Sequence, residues 1–279
     1  MVKLFSTKKI GYYTLNPDSI VNKTNIELQD YIKIIYLKKG SEIILDFTTH
    51  KCKSNSLFFI SPSQYYKLEE KKFNQGTILY YNRDFYCVEI HDKEVSCDGI
   101  LYNNIFKVAQ LKLSPGEIIS IENILQEIKT EFENEDHGLE EMLRVLLKQL
   151  IIKSTRLYKK QNHLQPDDVE NENLDFIRKY SALVEKEFFS KHSVSDYAEM
   201  LNITPKNLHK KIKIISDKTP NELIKNRLLL EAKRYLAHTD LSSKEIAYKL
   251  GYDDEAYFSR FFNKHSGSSP IQFRKLYRN

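Results

Sequence analysis

Cysteine is scarce in this chain: Cys52, Cys87 and Cys97 are the three present among 279 residues, too few to build a disulfide framework. No basic-then-apolar signal opens the sequence, and no apolar run reaches the roughly 18 residues that a membrane-crossing helix requires. The expectation is therefore a cytoplasmic protein with no membrane partner. Histidine is sparse as well, with only His50 and His91 in residues 1–112. The grouping Cys87-x3-His91-x5-Cys97, with His50 and Cys52 at hand, offers zinc-ligating atom types, but its spacing fits none of the compact structural zinc patterns. Two readings stay open for it: a metal or redox sensor, and ordinary buried thiols, which are common. No catalytic residue, metal or cofactor is assigned.

What the chain does have is charge, unevenly placed. It carries 43 Lys and Arg against 38 Asp and Glu, and the resulting +5 divides into +7 from Leu174 onward and −2 over residues 1–173. The chain is long enough for two domains with separate cores. A basic C-terminal module beside a mildly acidic N-terminal one points to a polyanionic partner for the former, although a lysine-rich surface is by itself more often a solvated face.

The C-terminal third carries the sharpest signal. Ser242 and Glu245 form a capping box that starts a helix with Ile246, Ala247 and Leu250 on one side, and Gly251 ends it in a sharp turn. Asp253 or Asp254 then caps a second helix that carries Phe258, Phe261 and Phe262 inward. Such a pair is a helix-turn-helix by mechanism. The same device occurs earlier: Ser193 and Asp196 stand for the box, Ala198 and Leu201 for the inner face, Asn202 for the turn glycine, and Thr204-Pro205 opens the next helix. Ala198 to Ala247 and Leu201 to Leu250 are each 49 residues apart, while Leu208 to Phe258 and Ile212 to Phe262 are each 50 apart. One residue has been added between the turn and the later helix. Between the two units, Thr219-Pro220-Asn221-Glu222 announces a connecting helix to about Ala237, roughly 27 Å long at 1.5 Å per residue. Ser269-Pro270 opens the final helix in the same way.

These residues carry a family resemblance. Leu229-Leu230-Glu231-Ala232-Lys233-Arg234-Tyr235-Leu236, Glu245-Ile246-Ala247-x-x-Leu250-Gly251-Tyr252, Tyr257-Phe258-Ser259-Arg260-Phe261-Phe262 and His265-Ser266-Gly267-x-Ser269-Pro270-x-x-Phe273-Arg274 resemble the DNA-binding domain of AraC/XylS-type bacterial transcription regulators. The first unit departs more from that pattern, with Lys211 where the family has an apolar residue and Ile212 where it has Phe. The resemblance implies that Lys206, His209 and Lys210 of the first recognition helix read bases. In the second helix the outward residues Glu255, Ala256, Ser259 and Arg260 face the groove, and Arg260 suits bidentate contact with guanine. Asn207, Lys213, Lys244, Lys249, Tyr257 and Lys264 are assigned to phosphates, along with the amide ends of the capped helices.

Residues 1–112 read as short β-branched and aromatic strands at 31–37, 42–47, 57–60, 65–68, 77–81 and 86–90, separated by turn signals, which suggests a sandwich or barrel. The element Phe59 to Tyr66 looks like the strand-turn-strand of the cupin-like sensor barrels that such regulators carry. A barrel of this size holds one small ligand. Phe47, Phe59, Tyr66, Tyr80, Phe85 and Tyr86 are candidates to line an effector pocket, or are simply core. Enzymes of the cupin type hold a metal through a His-x-His pair that this chain lacks. Residues 113–160 read as a helical hairpin in which Ile118, Ile121, Leu125, Ile128 and Phe132 face Leu139, Leu143, Leu146 and Leu150. Ile124, Leu147 and Ile151 widen that seam beyond what one partner needs. The hairpin either closes the barrel or, as the resemblance implies and we favour, pairs with a second copy. Residues 161–173 are almost wholly polar and read as a linker.

The expected architecture is thus a multi-domain chain: a mainly-β cupin-like barrel at 1–112, the hairpin at 113–160, the linker at 161–173, and an all-α double helix-turn-helix domain at 174–279. Its expected partners are double-stranded DNA, a small-molecule effector, RNA polymerase and a second copy. The competing readings are a cupin-type metalloenzyme on a DNA anchor, and an architectural DNA binder without sequence preference.

Overall fold

The computed structural model describes residues 2–5, 8–16, 28, 30–62, 64–68, 75–82, 84–86, 101–102, 109–134, 137–162, 172–215 and 218–277. The expected strand beyond Tyr86, with Cys87, His91 and Cys97, and residues 163–171 of the expected linker lie outside the described residues. The chain divides into two compact units, residues 1–166 and 167–279.

In the first unit the described strands are β1 (Val2–Phe5), β2 (Lys8–Leu15), β3 (Ile32–Leu37), β4 (Glu42–Leu45), β5 (Thr48–Lys51), β6 (Ser56–Ile60), β7 (Tyr66–Leu68), β8 (Gly76–Tyr81) and β9 (Ala109–Lys112). Six of them form an antiparallel sheet in the order β1-β2-β8-β3-β6-β9, and three form a second sheet, β5-β4-β7. Two helices follow, α1 (Pro115–Glu133) and α2 (Leu139–Gln161). The Ser114 amide donates to the Glu117 carboxylate at 2.8 Å to start α1, and Gly138, at φ 83, starts α2.

Among the described residues the strands do not close into the expected barrel. The period-two alternation of the larger sheet explains why. Ile10, Tyr12, Ile34, Tyr36, Leu57, Phe59, Leu79 and Tyr81 project from one face into a core completed by Ile121, Leu125, Ile128, Phe132, Leu143, Leu147 and Leu150 of the helices. Leu15, Ile35, Leu37, Phe58, Ile60, Ile78 and Tyr80 project from the other face onto Ile43, Leu45, Tyr66 and Leu68 of the smaller sheet. A sheet covered on both faces needs continuous apolar strands, and β3, β6 and β8 are buried along their whole length. The hairpin's wide seam has the same cause: Ile124, Leu147 and Ile151 are buried in the core shared with the sheet.

The second unit is wholly helical among its described residues: α3 (Glu172–Glu187), α4 (Val194–Met200), α5 (Pro205–Ile215), α6 (Pro220–His238), α7 (Ser243–Lys249), α8 (Glu255–Ser266) and α9 (Pro270–Tyr277). Helices α2 and α3 each reach one or two residues into the stretch read as linker. Around α6, which buries Leu223, Ile224, Leu228, Ala232 and Leu236, lie Tyr180, Val184, Leu208, Ile212, Ile246, Phe258, Phe262 and Phe273, all buried. Polar ties fix the angles. The Tyr180 hydroxyl donates to the Pro220 carbonyl at 3.0 Å. Arg274 donates to the carbonyls of Leu236 and Leu241, which ties α9 to the C-terminal end of α6. Arg227 bridges Glu185 of α3 at 2.9 Å and Glu231 of its own helix at 2.8 Å, while its guanidinium lies 4.0 Å from the Phe188 ring centre. Burial opposes the charge on Arg227, yet the two carboxylates outweigh it and raise its pKa. No helix among the described residues is long and apolar enough to cross a membrane.

Candidate nucleic-acid interface

The two short helices α4 and α7 open with the same reciprocal cap. Asp196 donates its amide to the Ser193 hydroxyl at 3.2 Å and accepts from the Ser193 amide at 3.1 Å; Glu245 and Ser242 do likewise at 3.2 and 2.7 Å. Each helix ends in a left-handed residue, Asn202 at φ 52 and Gly251 at φ 75. Asparagine is the residue besides glycine that most readily adopts this conformation. The turns repeat bond for bond at a spacing of 49. The Ile203 amide donates to the Ala198 carbonyl at 2.9 Å, and the Tyr252 amide to the Ala247 carbonyl at 2.9 Å. At the start of the following helices the spacing becomes 50, with Leu208 donating to Thr204 at 3.0 Å and Phe258 to Asp254 at 3.1 Å. Asp253 is therefore the added residue.

Helix α5 buries Leu208 and Ile212 and leaves Lys206, Asn207, His209, Lys210 and Lys213 exposed. Lys211 is half-buried, its ammonium 5.1 Å from the Phe176 ring centre, so a cation stands at an apolar position by lying over an aromatic face. Helix α8 buries Phe258 and Phe262 and leaves Glu255, Ala256, Tyr257, Arg260 and Lys264 exposed, with Ser259 half-buried. The Arg260 guanidinium lies 6.0 Å from the Tyr257 ring centre, which pre-positions it over a ring that is itself 58% exposed. Phe261, expected inside, is half-buried on the flank of α8, in tilted ring contact with Tyr252 at 5.5 Å and His265 at 4.9 Å. On α7, Lys244 and Lys249 are exposed.

The helix starts differ in what they leave for an anion. At α8 the Asp254 carboxylate already accepts from the amides of Ala256 at 3.0 Å and Tyr257 at 2.9 Å. With Asp253 and Glu255 alongside, three carboxylates stand at this end, a charge that disfavours an anion at the amide end of α8, where the capped helix ends are expected to meet phosphates. At α5 the cap is a neutral hydroxyl, Thr204, which accepts from Asn207 at 3.2 Å. Carboxylates elsewhere respond to their caps: hydrogen bonds from Thr219 hold Glu222 below the ordinary carboxylate value of 4.5, and those from Ser242 do the same for Glu245. Burial, with Lys225 and Lys264 nearby, lowers the pKa of His265.

In the first unit the structure does not bring the expected pocket residues together. Phe59 and Tyr86 lie in the core under the helices, whereas Tyr66 and Tyr80 lie in the core between the sheets. Phe85 belongs to the former, and Phe47 is half-buried outside both. A cavity of about 360 Å³ opens elsewhere, lined by Tyr12, Thr14, Tyr36, Lys38, Thr77 and Glu122 among others. There the Tyr36 hydroxyl donates to Glu122 at 2.6 Å and accepts from the Asn55 amide at 2.6 Å; burial first, and the Glu122 carboxylate second, raise its pKa. No motif announces this site, because its members come from three strands, the turns beside them and a helix, with no shared spacing. The thiol of Cys52 is buried and pushed up to about 11. Among the described residues no group of three or more His, Cys, Asp and Glu side chains is placed to hold a metal ion.

Comparison with known proteins places this geometry. Residues 197–276 match the family model described as a helix-turn-helix domain. The chain is 28% identical over 99 residues to the transcriptional activator RhaS of Enterobacter sp. strain 638, which is 36% of each chain. It is 30% identical over 118 residues to the bifunctional transcriptional activator and DNA repair enzyme AdaA of Bacillus subtilis strain 168, covering 42% of this chain and 53% of AdaA. The similarity thus spans between about a third and about half of these relatives. Among solved structures, ToxT from Vibrio cholerae is similar over 98% of this chain and 99% of its own, at 16% identity and a TM-score of 0.45.

Proposed function

We proceed from a C-terminal unit that belongs to the AraC-type helix-turn-helix family, and propose that the chain is a sequence-specific DNA-binding transcription regulator. One observation carries the reading: two helix pairs with the same turn hydrogen bonds, joined by one capped helix, each leaving a polar helix face open to solvent. The 19 residues of α6 span about 28 Å, close to the ~34 Å between successive major-groove faces on one side of B-DNA. Two helix-turn-helix units on such a rod suit adjacent turns of one duplex, with the remaining mismatch met by bending at a cost of a few kcal/mol.

In this reading Lys206, His209 and Lys210 of α5, and Glu255, Ala256, Ser259 and Arg260 of α8, meet base edges. Arg260 is the principal reader, bidentate to guanine. Asn207, Lys213, Lys244, Lys249, Tyr257 and Lys264 meet phosphates and set the register without reading sequence. The repelling start of α8 directs phosphate contact toward the α7 lysines and Lys264 instead. Residues 161–173 serve as the linker that lets the first unit govern the second. For that unit we propose effector sensing at the polar cavity of Tyr36, Lys38 and Glu122, and pairing with a second copy through the face of α2 that leaves Met142 and Val145 exposed. RNA polymerase is the partner through which an activator of this kind acts.

The test is affinity of the full chain for genomic fragments against random duplexes at one stated salt concentration. A regulator discriminates by about 10³ or more. Equal affinity for all duplexes would make it an architectural binder and overturn the proposal.

A further inference from the structure

The loop between α3 and α4 reaches across to the turn of the second helix pair. Gly251 is where they meet: a Cβ on this residue would lie 2.1 Å from the Phe189 carbonyl oxygen and 3.3 Å from Nε2 of His192. Real side chains do not approach a backbone oxygen so closely, so the absent side chain is a condition of the contact. One residue on, the Tyr252 ring packs against the His192 ring at 5.0 Å, and also against Tyr257, Phe258 and Phe261 of α8 at 5.7, 5.5 and 5.5 Å. Tyr252 thus links the loop to the second recognition helix. Nε2 of His192 is buried without a hydrogen-bond partner, a cost that the ring carries in exchange for filling this space. Gly267 supplies the contrast. It is equally left-handed, at φ 78, yet a Cβ there meets nothing within 4 Å.

We infer that Phe189 and His192 form a positioning lock on Gly251 and Tyr252 that fixes the second recognition helix relative to the first, and so sets the spacing between the two DNA half-sites. The inference rests on the two-helix DNA reading above. Besides the lock, the two pairs are joined through α6 and the packing around it. A small rotation about that rod would move Arg260 off its base while leaving α5 in place. Phe189 contributes its backbone, so the side chains that carry the lock are His192 and Tyr252.

Selection from a randomised duplex library with the full chain tests this. The unaltered protein should enrich a two-part site with one fixed spacing. Gly251→Ala and His192→Ala should keep the first half-site, accept several spacings, and bind the original site about tenfold more weakly, the loss of roughly one base contact. His192→Phe, which restores a ring without the unpartnered nitrogen, should recover the fixed spacing, and Gly267→Ala should never lose it. If Gly251→Ala fails to fold, the His192 pair decides alone. A His192→Ala protein that still selects the single original spacing would overturn the lock, whereas an unaltered chain that enriches no sequence would overturn the DNA reading and the lock with it.

Discussion

The first helix pair turns on Asn202 and the second on Gly251, each left-handed and each closed by the same amide-to-carbonyl bond at 2.9 Å. What the pairs display differs far more than how they are built. The first presents Lys206, Lys210 and Lys213 around a neutral Thr204 cap, whereas the second presents Arg260 beside Tyr257, with Lys264 a turn further on, behind the acidic start Asp253-Asp254-Glu255. One backbone device thus holds two helix faces of different charge. Under the proposed reading both pairs meet base edges, the first through Lys206, His209 and Lys210 and the second chiefly through Arg260, whose planar guanidinium is suited to a bidentate base contact where a lysine ammonium acts as a point charge.

The sharpest way to separate the turns is to place alanine at each. Gly251→Ala should cost about 3 kcal/mol of unfolding free energy, roughly 1–2 from the left-handed backbone and the rest from forcing a Cβ onto the Phe189 carbonyl. Asn202→Ala should cost only about 1 kcal/mol, because asparagine already carries a Cβ there. Denaturant unfolding of the two variants measures both. Equal costs would mean that the second turn is no tighter than the first.

Next in size is the contrast between readers. Arg260→Ala should cost about 1–3 kcal/mol against the preferred duplex and relax preference at one base position only. The same loss on every duplex would demote Arg260 to a phosphate contact. Removing Lys206, Lys210 or Lys213 spreads its effect over sequence and salt. Smaller still is Lys264→Ala, which should weaken binding to all duplexes alike and lower the slope of log affinity against log salt by about one. An unchanged slope would leave Lys264 a solvated side chain.

How much of this was legible follows from how local each feature is. Capping boxes, left-handed turns and helix periodicity are written within a few residues, so six described helices of the second unit start where Ser193, Thr204, Thr219, Ser242, Asp253 or Asp254, and Ser269 signal them, with Asp254 the cap of α8. Lys211, an anomaly in the pattern, is resolved by Phe176, a residue 35 positions away that no spacing rule connects to it. The ion-pair group of Arg227, Glu185, Glu231 and Arg234, in which Glu231 is buried and the others half-buried, was half legible, since Arg227 and Glu231 stand four apart on α6 while Glu185 arrives from another helix. Strands β1, β2, β5 and β9 were missed because lysines and threonines break their apolar pattern, and the expected closure failed because it depends on which elements cover each sheet face. The cavity at Tyr36 and Glu122 is set entirely by that tertiary choice.

The finest distinction lies in the caps. Glu245 begins the second pair and Glu222 begins α6, and both carboxyls are held below 4.5 by hydrogen bonds from Ser242 and Thr219. A carboxyl whose pKa is lower folded than unfolded contributes stability that is complete above the unfolded value and fades as pH falls through the folded one. Below about pH 4.5 the unfolded chain protonates first, so part of the acid sensitivity of the second unit should originate at these two positions. Glutamine keeps the backbone hydrogen bond of a capping box but does not titrate. Glu245→Gln should therefore start slightly less stable near pH 7 and lose less between pH 6 and pH 3 than the unaltered chain, so that the two unfolding temperatures converge on the acid side. Parallel curves over that range would show that the Ser242 box contributes its hydrogen bonds but no linked proton, and that the second pair is held in acid by its aromatic core alone.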